Sequence, residues 1–104
     1  MMRLPVVMCV VNRAVGPWNI HVDHTDSISQ RDTGWIQFYV ESNQEIFDTI
    51  IQAYRISEQI LLPSMICMDG FILSHTSQPL ELPNQADVDE FIPHDPKKHL
   101  LLDV

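Results

Sequence analysis

The chain has 104 residues, 45% of them hydrophobic and 19% charged, with three glycines, which allows one packed domain and argues against disorder. Fourteen acidic against six basic residues give a net charge of -8, which excludes a groove built to displace counterions from nucleic acid. No apolar run reaches the roughly 20 residues of a membrane helix, and Met1-Met2-Arg3-Leu4-Pro5 lacks the small-residue cleavage site of a signal peptide.

Leu4-Pro5-Val6-Val7-Met8-Cys9-Val10-Val11 is a near-continuous apolar run without polar alternation, the pattern of a strand buried on both faces of a parallel sheet. Parallel neighbours need crossover helices to cover them. Only Met-Met-Arg precedes this run, so its cover is expected from another chain, or the sequence starts within a domain. From Asn12 to Gly34 the chain is polar, with Gly16-Pro17 and a short helix expected near Ser27 to Arg31. Trp35 to Val40 is the second strand candidate.

Ser42-Asn43-Gln44-Glu45 is a capping box, in which the Ser42 hydroxyl accepts from the Glu45 amide and the Glu45 carboxylate reaches back. Phe47, Ile50, Ile51, Tyr54 and Leu61 follow at helical spacing. They predict a helix of about 17 residues, buried on one side and ended by Leu62-Pro63. Ser64 to Met68 is a third buried strand, terminated by Asp69-Gly70. Strand, helix and strand in that order form a parallel, right-handed unit. From Gln78 the chain is rich in proline, with a short helix expected over Asn84 to Phe91. The expected fold is therefore α/β, a parallel sheet with crossover helices. Residues 1–78 form a partial domain and 79–104 an exit or linker.

Cys9 and Cys67 lie in apolar runs and read as small buried hydrophobes. They lack the C-x-x-C spacing of iron–sulfur or zinc sites, and a reduced, cytoplasmic protein is the natural reading. His21-Val22-Asp23-His24-Thr25-Asp26 offers two imidazoles and two carboxylates that could bind a metal. It has no zinc-motif spacing, and Asp and Thr side chains in such a loop serve turns and helix caps. Asp69, Ser74 and His75 are the residue types of a hydrolase triad, but Ser74 and His75 are adjacent and no G-x-S-x-G elbow is present. Arg13 follows the first strand directly, at its C-terminal end, where ligands bind in open parallel sheets. It could hold a carboxylate through two parallel hydrogen bonds, or form a structural salt bridge to Asp23, Asp26 or Asp32. Trp18, Trp35, Phe38 and Tyr39 are too scattered for a base-stacking platform and read as packing residues.

Three stretches taken in order carry a family resemblance: Val11-Asn12-Arg13-Ala14, Pro17-Trp18-Asn19-Ile20-His21-Val22-Asp23-His24-Thr25-Asp26-Ser27, and Ser29-Gln30-Arg31-Asp32-Thr33-Gly34-Trp35. With Ser42-Asn43-Gln44-Glu45 and Asp69-Gly70-Phe71 before Ser74-His75, they resemble the pyrimidine-side, thiamine-diphosphate-binding domain of pyruvate (2-oxoacid):ferredoxin oxidoreductase α chains. The likeness runs from about Leu4 to Phe91. It implies oxidative decarboxylation of pyruvate to acetyl-coenzyme A with electron transfer to ferredoxin, in anaerobic metabolism. Thiamine diphosphate would be shared with a β subunit, and magnesium and iron–sulfur clusters would lie on partner chains only.

The resemblance further implies that Arg13 faces the substrate carboxylate, while Arg31, Asp23, His24 and Asp26 order the active-site wall or a subunit contact. The part of the family's α chain with the glutamate that activates the cofactor is not in this sequence, so activity is expected only in a complex. Around Gly16-Pro17-Trp18 the turn looks one residue short of the family pattern. A non-catalytic assembly module derived from the domain is the alternative, and a metal hydrolase built on the His/Asp loop is a third reading.

Overall fold

The computed structural model describes residues 3–14 and 21–93. Their elements are β1 (Val7–Asn12), α1 (Thr25–Ile28), β2 (Ile36–Tyr39), α2 (Asn43–Ile60), β3 (Ser64–Asp69) and α3 (Gln85–Phe91). The strands form one parallel sheet in the order β1-β3-β2, so the α/β architecture expected from the strand and helix patterns is present. The α2 crossover joins the neighbours β2 and β3. The 13–35 connection carries the chain from one edge strand to the other. The Gly16-Pro17-Trp18 turn and the Lys97-Lys98 pair lie outside the described residues.

Local chemistry explains α2. Ser42 is extended (φ -138) and its hydroxyl accepts the Glu45 N–H at 3.2 Å, as the capping box requires. The Glu45 carboxylate reaches one residue further than expected, to the Glu41 N–H at 2.6 Å. At the other end Leu61 takes a left-handed conformation (φ 54) and donates to the Ser57 carbonyl. The Arg3 guanidinium then bonds the Leu61 and Ile60 carbonyls at 3.1 and 2.7 Å, filling acceptors that the helix leaves open.

Side chains alternate across a sheet. Ile66 and Met68 of β3 join Ala53, Val40 and Leu73 in the core, with Ile46, Ile50 and Phe38 packed against it. Ser64 lies on this side too, its hydroxyl 2.6 Å from that of Ser57, both fully buried. Met65 and Cys67 lie on the opposite face and are also buried. Being central, β3 is covered on both faces.

The expectation that β1 is equally buried does not hold. Val6, Met8 and Val11 are each more than 40% exposed, and Cys9 is exposed while Cys67 is buried. The reason is position: β1 is an edge strand, and of its side chains only Val7 packs against the core beneath α2. The radius of gyration is 15.8 Å, against about 13 Å for a compact domain of this size.

Helix α1 begins two residues earlier than predicted, at Thr25, and continues as turns bonded from Gln30 to Ser27 and from Arg31 to Ile28. Helix α3 forms as expected, with Asn84 at its N-cap and no residue buried. The Arg55 guanidinium lies 4.7 Å over the Phe91 ring and ties α3 to α2. Among the described residues no helix is long and apolar enough to cross a membrane.

Candidate functional site

Because the strands are parallel, β1 and β3 finish side by side, with Asn12 paired to Asp69. The chain leaves β3 through Gly70, whose N–H donates to the Asn12 carbonyl at 3.1 Å. A Cβ on Gly70 would stand 2.4 Å from that carbonyl oxygen, so no larger residue fits without moving backbone. The same point is 3.5 Å from Arg13 Cγ, and the arginine stem lies against the bare glycine.

The side chain of Asn12 is the centre of a polar cluster. Asn12 is fully buried, and its Nδ2 donates to Asp26 Oδ1 at 2.8 Å and to Ser27 Oγ at 2.7 Å. Its Oδ1 stands 2.9 Å from His24 Nδ1. Asp26 Oδ2 accepts the Arg13 backbone N–H at 3.0 Å, and Oδ1 accepts that of Ser27 at 2.9 Å. On the far side Ser27 Oγ is 3.0 Å from Tyr39 Oη, which donates to Gln37 Oε1 at 3.0 Å. Gln37 Nε2 returns to the Ser27 carbonyl at 2.9 Å. Helix α1 is thus laced to β1 at one end and to β2 at the other.

Charge follows this geometry. Burial pushes the Asp26 carboxyl upward, but donors from the Asn12 amide and the Arg13 and Ser27 backbones outweigh it, and its pKa falls below the usual carboxylate range. Asp69 is lowered chiefly by the Ile72 N–H, against the effect of desolvation, with the Phe71 N–H and electrostatic attraction from His24 adding. Both backbone donors reach Asp69 Oδ1 at 2.7 Å. Burial pushes the Cys67 thiol up, which makes it a packing group and not a nucleophile.

Arg13 emerges at the C-terminal end of β1, exposed, and among the described residues its side chain has no ion-pair or hydrogen-bond partner. The carboxylates that could have paired with it are engaged elsewhere. Asp23 caps the Thr25 N–H at 3.0 Å, Asp26 takes backbone and amide donors, and Asp32 pairs with Arg31 at 3.3 Å. Arg31 and Asp32 have side chains 74% and 88% exposed, and neither joins the cluster. His24 and Asp26 do join it, and Asp23 stands beside it as a turn cap.

Sequence reading missed Asn12, Ser27, Gln37 and Tyr39. Their signal is polarity where the pattern is otherwise apolar: Asn12 closes an apolar strand, and Gln37 and Tyr39 alternate with Ile36 and Phe38. Asp69, Ser74 and His75 do not assemble into a triad, because Ser74 Oγ donates to the Gly70 carbonyl at 2.8 Å and the Asp69 carboxylate is held by loop N–H groups. Among the described residues no three His, Cys, Asp or Glu side chains come together as metal ligands. His21 instead meets the Phe71 ring edge-on at 5.8 Å.

The sequence matches the family described as pyruvate flavodoxin/ferredoxin oxidoreductase, thiamine diP-bdg, over residues 1–103. It is 56% identical over 105 residues to the pyruvate synthase subunit PorA of Methanocaldococcus jannaschii, covering 98% of this chain and 27% of that protein. It is 58% identical over 95 residues to the PorA subunit of Methanosarcina barkeri, covering 88% of this chain and 24% of the relative. The ketoisovalerate oxidoreductase subunit VorA of Pyrococcus furiosus is 52% identical over 99 residues, covering 94% and 25%. The chain spans about a quarter of the length of the curated relatives it matches.

Proposed function

The chain belongs to the thiamine-diphosphate-binding family of pyruvate flavodoxin/ferredoxin oxidoreductases, and we propose that it forms the substrate-facing wall of the α subunit of a 2-oxoacid:ferredoxin oxidoreductase. The reaction is the oxidative decarboxylation of pyruvate to acetyl-coenzyme A, with the two electrons passed to ferredoxin. It proceeds only with the remaining α sequence, a β subunit and cluster-bearing subunits, in the cytoplasm of a cell with anaerobic metabolism. Residues 79–104 are assigned to an extension or linker, whose described part is tied to α2 through Arg55 and Phe91.

The observation that carries this reading is the Arg13 guanidinium at the C-terminal ends of parallel strands, without an ion-pair or hydrogen-bond partner among the described residues, while Asp23, Asp26 and Asp32 are engaged elsewhere. Ligands of open parallel sheets sit at this position, and a guanidinium there matches a carboxylate with two parallel donors. Thiamine diphosphate, when bound, supplies the nucleophilic carbon and electron sink that decarboxylation needs. The residues present fit the substrate side of such a site: a cation for the oxoacid, and a glycine that keeps its stem clear. Magnesium and the iron–sulfur clusters are assigned to partner chains.

Within the wall, Arg13 binds the oxoacid carboxylate and fixes its orientation, and Asp26 holds the Arg13 backbone in place. His24 and Asp26 order the wall from behind. Arg31 and Asp23, both exposed, are assigned to a subunit contact. Relatives named for pyruvate and for ketoisovalerate are 56% and 52% identical to this chain. We take this segment to carry machinery common to both.

The test is made in the assembled oxidoreductase, by pyruvate-dependent reduction of a viologen dye. Arg13→Ala is expected to lower kcat/KM by about 30- to 150-fold, from loss of a charge-assisted pair worth roughly 2–3 kcal/mol. Arg13→Lys, with a point charge and no fork, should fall between the two. An unchanged KM for the oxoacid in Arg13→Ala would end the assignment.

A further inference from the structure

The side-chain amide of Asn12 can be oriented in only one way. Asp26 is ionised, so both of its oxygens are acceptors, and the Asn12 atom 2.8 Å away must be the donor nitrogen. Its second N–H goes to Ser27 Oγ at 2.7 Å, which exhausts the amide's donors. The oxygen therefore faces His24, and an oxygen 2.9 Å from Nδ1 requires that Nδ1 carry a proton. His24 is a donor at Nδ1 whether its ring is neutral or charged.

We propose that His24 is a positioning residue for Arg13, acting through a directed chain in which its Nδ1–H fixes the Asn12 amide, the amide fixes the Asp26 carboxylate, and that carboxylate holds the Arg13 N–H. The inference rests on the reading of Arg13 as the carboxylate clamp. The backbone supports it independently: His24 sits at φ 59, a left-handed conformation that a residue other than glycine adopts at a cost. That conformation places the His24 ring edge-on to Tyr39 at 5.7 Å. Asn12 has no exposure to solvent, so in the folded chain its oxygen takes its proton from the imidazole and not from bulk water. The role needs only the Nδ1 proton, and the other ring nitrogen is not part of it.

This division of the imidazole makes the inference testable by substitution in the assembled enzyme. The amide nitrogen of asparagine falls near the place of Nδ1, and asparagine tolerates the left-handed backbone. Glutamine reaches further along the chain and cannot donate from that place. His24→Asn should therefore keep the oxoacid KM within about threefold of wild type, whereas His24→Gln and Asn12→Ala should raise it about tenfold, the effect of a misplaced binding group. The KM for coenzyme A should stay unchanged in all three, which a general loss of structure would not produce.

Equal damage from His24→Asn and His24→Gln would overturn the inference, as would an unchanged oxoacid KM in His24→Gln. If Asn12→Ala fails to assemble, the two His24 variants still decide. Arg13→Ala, measured alongside, separates the levels. A normal KM there defeats the clamp itself, while a raised KM with a silent His24→Gln defeats only the positioning chain.

Discussion

β1 and β3 are adjacent, six residues long, and built alike, VMCVVN against SMICMD, each ending in a polar residue. In β3 every residue from Ser64 to Met68 is buried, whereas in β1 only the terminal Asn12 is. Sheet position makes the difference, since β3 has a strand on each side and β1 has one. Structural stability and chemistry are separated accordingly. The apolar core is gathered on β3 and α2, and the polar cluster stands where β1 ends and α1 crosses.

The largest effect expected from that separation belongs to the centre of β3. Ile66→Ala, at a site with no exposure, should cost about 4 kcal/mol in denaturant unfolding, the usual range for a buried Ile cut to Ala. Val11→Ala, 43% exposed in the neighbouring strand, should cost no more than about 1 kcal/mol. Similar losses from the two would break the comparison. Gly70→Ala tests the seam between the regions. Its Cβ would meet the Asn12 carbonyl at 2.4 Å, and a cost of about 3 kcal/mol is expected from the backbone shift that this overpacking forces. The same variant should raise the oxoacid KM in the assembled enzyme, because the displaced backbone carries Arg13.

The buried hydroxyl pair sharpens the picture on the α2 side. Ser57 and Ser64 bond at 2.6 Å with neither exposed. Ser57→Ala leaves the Ser64 hydroxyl without this partner in the core and should cost about 2 kcal/mol. The double change to alanine should cost clearly less than the two single changes summed, since it leaves no hydroxyl stranded. Additive losses in that cycle would show that the bond carries no coupling.

Much of this was legible in the sequence, for reasons that differ by element. Helix α2 is written twice, in the Ser42 cap and in the periodicity that follows, and both are local signals. The β2-α2-β3 unit follows from the order of such signals. The exposure of β1 could not be read, because an apolar run states what a strand can bury and not whether it lies at an edge. The position of Arg13 at the strand tip was readable from the end of the run at Asn12. The link from His24 to Arg13 was not, since it passes through Asn12 and Asp26, which are 12 and 2 residues from His24 and meet only once α1 is folded against β1. An αL histidine at the N-cap has no sequence signature.

The smallest expected effect is electrostatic, and it separates the two regions by pH, since the lowered carboxylates stand at the strand tips and none lies in the core. Asp26 and Asp69 have folded pKa values below the ordinary 3.8, so each binds its proton more weakly in the folded chain than in the unfolded one. The stability they contribute is complete above that ordinary value and is lost as pH falls through the lower folded values. Denaturant unfolding measured from pH 6 downward should therefore show a level region and then a decline that begins near pH 4. Asp26→Asn should be less stable than wild type on the level region and should approach it in acid, because the acid has removed from wild type what the substitution removed from the variant. Asp69→Asn should behave in the same way through a different set of donors, the Phe71 and Ile72 amides. Ile66→Ala, by contrast, should shift the whole curve down by a constant amount. A constant offset for Asp26→Asn at every pH would mean that its contribution is packing and not charge, and the contrast between a titrating tip and an apolar core would fail at that residue.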